Sequence, residues 1–196
     1  HTGTMGSYKA LKKIPHAAIS MEDAMMISRL YKKGQKVVVK LNMKAKFVSD
    51  RWSRNIVAEL TGSHYPKQVV VLGGHIDSWD VGQGAHDDGG GCVAAWYAVS
   101  LIKRLGFRPK RTLRVVLWTN EENGGRGNKN YRDEHKSELE NHIVAIESDG
   151  GVFAPKGFGF TGSVDARKII FDIADLLLEV LHWALVQRLG MILHLV

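Results

Sequence analysis

The sequence predicts an α/β fold, a mixed and mostly parallel sheet flanked by helices, from three observations. The first is a set of short apolar runs, QVVVL at 68–72, RTLRVVLWT at 111–119 and HIVAIE at 142–147, with the length and β-branched content of buried strands. The second is the helical periodicity of CVAAWYAVSLIKRL at 92–105, between the first two runs. The third is their order: strand, Gly-rich turn, helix, strand is a right-handed crossover that makes the two strands parallel. Parallel strands end on one edge of a sheet, so the residues that follow each run are carried to the same side of the molecule.

Taken in order, Ser20 caps a helix over residues 21–33, with Glu22 and Asp23 in its first turn and Gly34 as its stop. KVVVKL at 36–41 reads as a strand, and RNIVAEL at 54–60 as another with Ile56, Ala58 and Leu60 on one face. The polar, basic stretch 42–53 between them marks a boundary between a leading segment and the main domain. The turn Gly62-Ser63-His64-Tyr65-Pro66 is expected to fold 54–60 back on 68–72 as an antiparallel pair. Glycines 124, 125 and 127 lead into a short helix near 128–135, and the core is expected at 69–72, 115–117 and 143–146.

Composition narrows the function. A hydrophobic content of 44% supports one substantial core, and the net charge of +7 comes from scattered groups such as Lys12-Lys13, Lys32-Lys33 and 108–111. Without aromatic interleaving or a nucleic-acid motif, that charge reads as a solvated basic surface, so no nucleic-acid partner is expected. The lone cysteine, Cys92, excludes an internal disulfide and reads as a small core residue. The opening HTGTMGSYKALKKIPHAA has no apolar stretch of secretory-signal type. The tail 176–196 is apolar, but Glu179 and Arg188 would sit within a span, so a core or interface helix is expected and no membrane partner.

The chemistry gathers at the strand ends. In GGHIDSWDVGQGAHDDGGG, His75 follows the first buried run, and Asp77, two residues on, leaves extended backbone on the same face. Asp77 is either the carboxylate that orients His75 or a ligand in its own right. The second run ends in Asn120-Glu121-Glu122, two carboxylates that point to opposite sides, one to a metal and one to a reacting water. The third ends in Ser148-Asp149-Gly150-Gly151. Each alone is an ordinary turn; their joint occurrence at one sheet edge is not. Mixed His and carboxylate ligands without Cys suit catalytic zinc, or manganese or cobalt, better than structural zinc. The surplus of carboxylates points to two ions about 3.5–4 Å apart.

GGHIDSWDVGQGAHDDGGG, VLWTNEENGG and AIESDGG together closely resemble the co-catalytic di-zinc exopeptidase family that includes aminopeptidases and glutamate carboxypeptidases. KIPHAAISMEDA, RPKRTLRVVLWT and GFTGS extend the resemblance over about residues 14–162. It implies a zinc-exopeptidase-like α/β/α fold, incomplete at both ends. Residues 1–50 would be the remnant of a protease-associated-type lid domain and linker, and 51–196 the catalytic domain, its C-terminal part missing or divergent after about 163. It implies two Zn2+ ions, with His75 and Asp149 on the first, Asp87 bridging both, Glu122 on the second, Glu121 as general base and Asp77 supporting His75. Asp80 and Asp88 lose their claim to the metal. The implied activity is hydrolysis of small peptides or dipeptides, in a secreted or lysosomal protein that is a homodimer by analogy. This family completes its second zinc with a His in a Ser-His-Gly-Asp-like context; no such context follows Gly162, and His182 and His194 read as helix core residues. The alternative expectation is therefore an impaired chain that binds peptide or a partner. Metal-dependent phosphoester hydrolysis is a third class that the ligands alone leave open.

Overall fold

The computed structural model describes residues 14–44, 48–153, 157–181 and 193–195, with 178–181 and 193–195 described by backbone alone. The chain divides into two compact units, His1–Arg51 and Trp52–Val196. In the first, helix α1 (Met21–Lys32) is capped as its sequence dictates: Ser20 Oγ accepts the Asp23 N–H at 3.1 Å, with acidic residues in the first turn and Arg29 and Lys32 in the last. The strand expected at 36–41 does not form. Among the described residues no strand pairs with this segment, and Val38 and Val39 are exposed; β propensity needs a neighbouring strand to satisfy its backbone.

The second unit is a five-stranded sheet in the order β1-β3-β2-β4-β5, built from β1 (Ile56–Leu60), β2 (Tyr65–His75), β3 (Arg111–Trp118), β4 (His142–Ser148) and β5 (Leu193–Leu195). β2 runs parallel to both β3 and β4, while β1 on β3 and β5 on β4 are antiparallel edges. The mixed, mostly parallel sheet is as the sequence predicts. The expected β1–β2 hairpin is not found: β1 pairs with β3, Ile56 opposite Leu117 and Leu60 opposite Leu113. The physical reason lies in the connecting turn, which crosses the start of β3. Gly62 N–H donates to Thr112 Oγ1 at 3.0 Å, Ser63 N–H to the Pro109 carbonyl at 2.9 Å and Tyr65 N–H to the Lys110 carbonyl at 2.8 Å, so β3 occupies the slot between the two strands.

Helix α2 (Gly90–Arg104) makes the crossover between β2 and β3 and packs on β2, β3 and β4, burying Cys92 and Ala95. It starts two residues earlier than its apolar periodicity, because glycines carry no hydrophobic signal although they form its first turn. Helix α3 (Arg126–Glu134) buries Tyr131 in a cluster with Val69, Val71, Val116 and Trp118. Val115 is also buried, and by strand alternation it faces the opposite side from Val116. The expected core is met at β2 and β3, but Ile143 is half exposed, falling in the register shift by which Val69 faces His142 and Val70 faces Val144. Helix α4 (Val164–Leu181) takes up the first part of the apolar tail. No helix among the described residues is long and apolar enough to cross a membrane. His182 lies outside the described residues.

Candidate metal centre

Three parallel strands deliver their tips to one edge, and the side chains there converge on a single imidazole. His75, the last residue of β2, is 1% exposed. Its Nδ1 lies 2.9 Å from the Asp77 carbonyl, which can only accept, so Nδ1 carries a hydrogen and Nε2 is turned to the open side. Nε2 meets Asp87 Oδ1 at 3.0 Å, Asp149 Oδ1 at 3.1 Å and Glu121 Oε2 at 4.0 Å. The ligand atoms of His75, Asp87 and Asp149 all lie within 4.8 Å of one another. Burial alone would keep the imidazole neutral, but the Asp149 and Asp77 hydrogen bonds, with Asp149 and Asp88 charge, outweigh it and push its pKa up to about 10. A proton on Nε2 thus stands where the surrounding charge calls for a cation.

Asp77 meets His75 and the turn after β3 at once. Its carboxylate is 3.9 Å from His75 Nδ1, and it is the Asp77 carbonyl that orients the ring. The carboxylate instead accepts the N–H groups of Glu121 at 2.9 Å and Glu122 at 3.3 Å, fixing the turn that follows β3 against the loop that follows β2. Burial pushes both glutamates above the usual carboxylate range, with the charges of Asp149, Asp77 and Asp87 adding to it for Glu121 and the charge of Asp87 for Glu122. Glu122 falls outside the three-residue group, and its Oε1 is buried without a hydrogen-bond partner.

Two carboxylates were not assigned from the sequence. Asp88, 1% exposed, accepts the His75 N–H on Oδ2 and the Gly91 N–H on Oδ1, both at 3.0 Å, and burial pushes it up to about 6. It braces the end of β2 to the first turn of α2, and its bond to an N–H three residues on is the helix-capping signal that was legible in Asp-Gly-Gly-Gly. The approach is close: a Cβ on Gly91 would lie 1.7 Å from the Ser148 carbonyl oxygen, so only glycine lets α2 start against β4. Glu147, in β4, is pushed up to about 7 by burial, then by the charges of Asp149 and Glu121, and its Oε1 has no partner. Its signal was strand alternation, which puts it on the same face as Asp149. His194 of β5 pairs in backbone register with Glu147.

One imidazole nitrogen and the convergent carboxylates of Asp87 and Asp149, with orphaned buried oxygens on Glu122 and Glu147 besides, form a donor set that fits a divalent cation of the zinc type. The comparisons with known proteins agree. The chain is 54% identical over 177 residues to carboxypeptidase Q of Bos taurus and of Homo sapiens, covering 90% of this chain and 38% of each relative. It is 34% identical over 193 residues to a probable leucine aminopeptidase 2 of Aspergillus oryzae. The chain thus spans well under half the length of the curated relatives it matches. Among solved structures, a peptidase M28 precursor from Shewanella amazonensis superposes with a TM-score of 0.81 at 39% identity, covering 92% of this chain and 41% of that one. The model of peptidase family M28 matches residues 55–187, and with the fold and the strand-tip cluster in agreement, the chain belongs to that family.

Proposed function

We propose that the protein is a zinc-dependent exopeptidase or dipeptidase of small peptides, in which His75 and Asp149 hold a first ion, Asp87 is shared, and Glu122 holds a second. The observation that supports this most is the convergence on one buried imidazole of carboxylates from the segments that follow three different strands. The chemistry that divalent ions supply in such a site is polarisation of the scissile carbonyl and a water that is acidic near neutrality. The remaining tasks fall to the chain. The Asp77 carbonyl holds the His75 ring with Nε2 outward, and the Asp77 carboxylate holds the backbone of Glu121 and Glu122. In this reading Glu121, whose pKa burial raises, takes a proton from the attacking water on its carboxylate and hands it to the leaving amine. The same reading carries the secreted or lysosomal location and the homodimer expected by resemblance.

The test is a metal count by native mass spectrometry beside a dipeptide assay. Two zinc ions per chain and turnover lost on chelation are expected; fewer than two ions with no chelator-sensitive hydrolysis would remove this reading. A second reading is favoured by one observation, that Glu122 lies outside the convergent group with a buried oxygen unpaired. In that reading the second position is incomplete and the chain binds peptide or a partner without turning it over. Robust chelator-sensitive turnover excludes it.

A further inference from the structure

The pairing of β1 with β3 brings a side chain to the loop that carries Glu121 and Glu122. Because β1 runs antiparallel to β3, with Ile56 opposite Leu117, the residue before β1 stands beside the end of β3, where that loop begins. This residue is Asn55, and its amide joins the two ends of the loop. Oδ1 accepts the Thr119 N–H at 3.0 Å, and Nδ2 donates to the Gly127 carbonyl at 2.8 Å. An N–H only donates and a carbonyl only accepts, so the two partners fix which end of the amide is which. The approach is close: a Cβ on Gly127 would stand 2.5 Å from Asn55 Oδ1, and glycine is what admits the amide there.

Between these ends the backbone is left-handed at Asn120, with φ of +60°, and at Gly124 and Gly125, with φ of +117° and +62°. Neither helix nor strand propagates through such residues, so the course of the loop is set by bonds at its ends and middle. The middle is held by the Asp77 carboxylate, through the Glu121 and Glu122 N–H groups. The ends are held to each other by the Gly127 N–H, which donates to the Thr119 carbonyl at 3.0 Å, and by Asn55. Within this frame Glu121 Oε2 lies 4.0 Å from His75 Nε2. Both partners of Asn55 are backbone groups, so it acts on the site through the loop. We propose that Asn55 is a positioning residue, whose amide clasps residues 119–127 and so aims the Glu121 carboxylate at the reacting water. The task of Glu121 rests on the peptidase reading; the clasp does not.

The test has one arm without metal and one with it. In the zinc-free chain, hydrogen exchange over 119–127, read by mass spectrometry, is expected to be at least about tenfold faster in Asn55→Ala, with exchange in β2 unchanged. Asn55→Asp keeps an acceptor for the Thr119 N–H but loses the donor to Gly127, and is expected to fall between. Ser53→Ala removes the neighbouring bond between Ser53 Oγ and Thr119 Oγ1, 2.8 Å long, and leaves the clasp in place. It is expected to keep exchange and kcat within about twofold of wild type. In the zinc-loaded chain, Asn55→Ala is expected to lower kcat for a dipeptide about 10- to 100-fold, with KM within about twofold and zinc at the wild-type count. Unchanged exchange in Asn55→Ala, or exchange raised equally in β2, overturns the clasp, and wild-type kcat beside faster loop exchange overturns the positioning role. Should Asn55→Ala fail to fold, Asn55→Asp against Ser53→Ala decides by the same readings. A wild-type chain without turnover overturns the peptidase reading and the task given to Glu121, while the exchange arm still decides the clasp.

Discussion

Two polar clusters sit on this sheet, one away from the strand tips and one at them, and they are built from similar residues to opposite effect. Away from the tips, Arg114 of β3 holds Glu59 of β1, donates to the Tyr131 hydroxyl at 2.6 Å and lies 3.6 Å from Glu138. Since Arg114 only donates, the Tyr131 hydrogen goes to His142 Nε2 at 2.8 Å, and His142 Nδ1 donates to the Glu138 carbonyl at 3.0 Å. His135 stacks on the Tyr131 ring at 4.0 Å, and no atom of this cluster is among the buried polar atoms left without a partner. At the strand tips, ion pairs with Asp77, Asp87, Glu121 and Asp149 all converge on the one imidazole of His75. Glu122 and Glu147 keep buried oxygens without partners there. The first cluster is complete in itself and so structural; the second is short of positive charge and so is poised for a ligand.

The contrast can be broken by substitution, and the largest effect belongs to the tips. Glu121→Gln is expected to reduce dipeptide turnover by at least about 100-fold while zinc content stays at the wild-type count, read by steady-state assay and native mass spectrometry. An undiminished rate would take Glu121 out of the reaction. Next in size is Asp88→Ala, which strands the His75 and Gly91 N–H groups in a buried place and is expected to lower unfolding free energy by about 3 kcal/mol in a urea titration. A smaller effect is expected away from the tips. Tyr131→Phe removes one hydroxyl from between Arg114 and His142 and should destabilise by about 1–2 kcal/mol, with zinc uptake unchanged. Loss of zinc in that variant would show that the two clusters are coupled, against their separation here.

The smallest effect sharpens the comparison without changing it. Cys92 lies under the tips, donates to the His75 carbonyl at 3.2 Å, and has a thiol that burial pushes up to about 12. A thiol reagent at pH 8 is expected to label it only as fast as the chain opens, and several-fold more slowly once zinc is bound. Labelling at the rate of a free thiol would show that the strand tips are open in the folded chain.

How far each cluster was legible follows from how local its signal is. His75, Glu121, Glu122 and Asp149 stand directly after apolar runs, so pattern and strand direction alone carry them to one edge. Asp77 was legible as a neighbour of the His75 ring, but its bonds to the Glu121 and Glu122 N–H groups were not, because they join residues 44 and 45 positions apart. Asp88 loses its claim to the metal by the resemblance, and its bracing role depends on the His75 N–H thirteen residues back; Glu147 shares the face of Asp149 by alternation, but its burial depends on segments far away in the chain. The Arg114–Tyr131–His142 cluster gave no signal at all, since its members are spread over three strands, a helix and a turn. The β1–β2 hairpin was misread for the same kind of reason: adjacency in sequence suggested pairing, and contacts with Lys110 and Thr112 decided otherwise.

By itself the sequence determined the parallel core, its direction and the edge at which chemistry gathers, because period-2 and period-3.6 patterns and crossover handedness are local rules that the backbone obeys everywhere. Only the tertiary structure decided which strand lies beside which, which acids brace and which face the open site, and that Asn55 meets Thr119 and Gly127. Those outcomes depend on distances between segments far apart in the chain, and no local pattern encodes a distance.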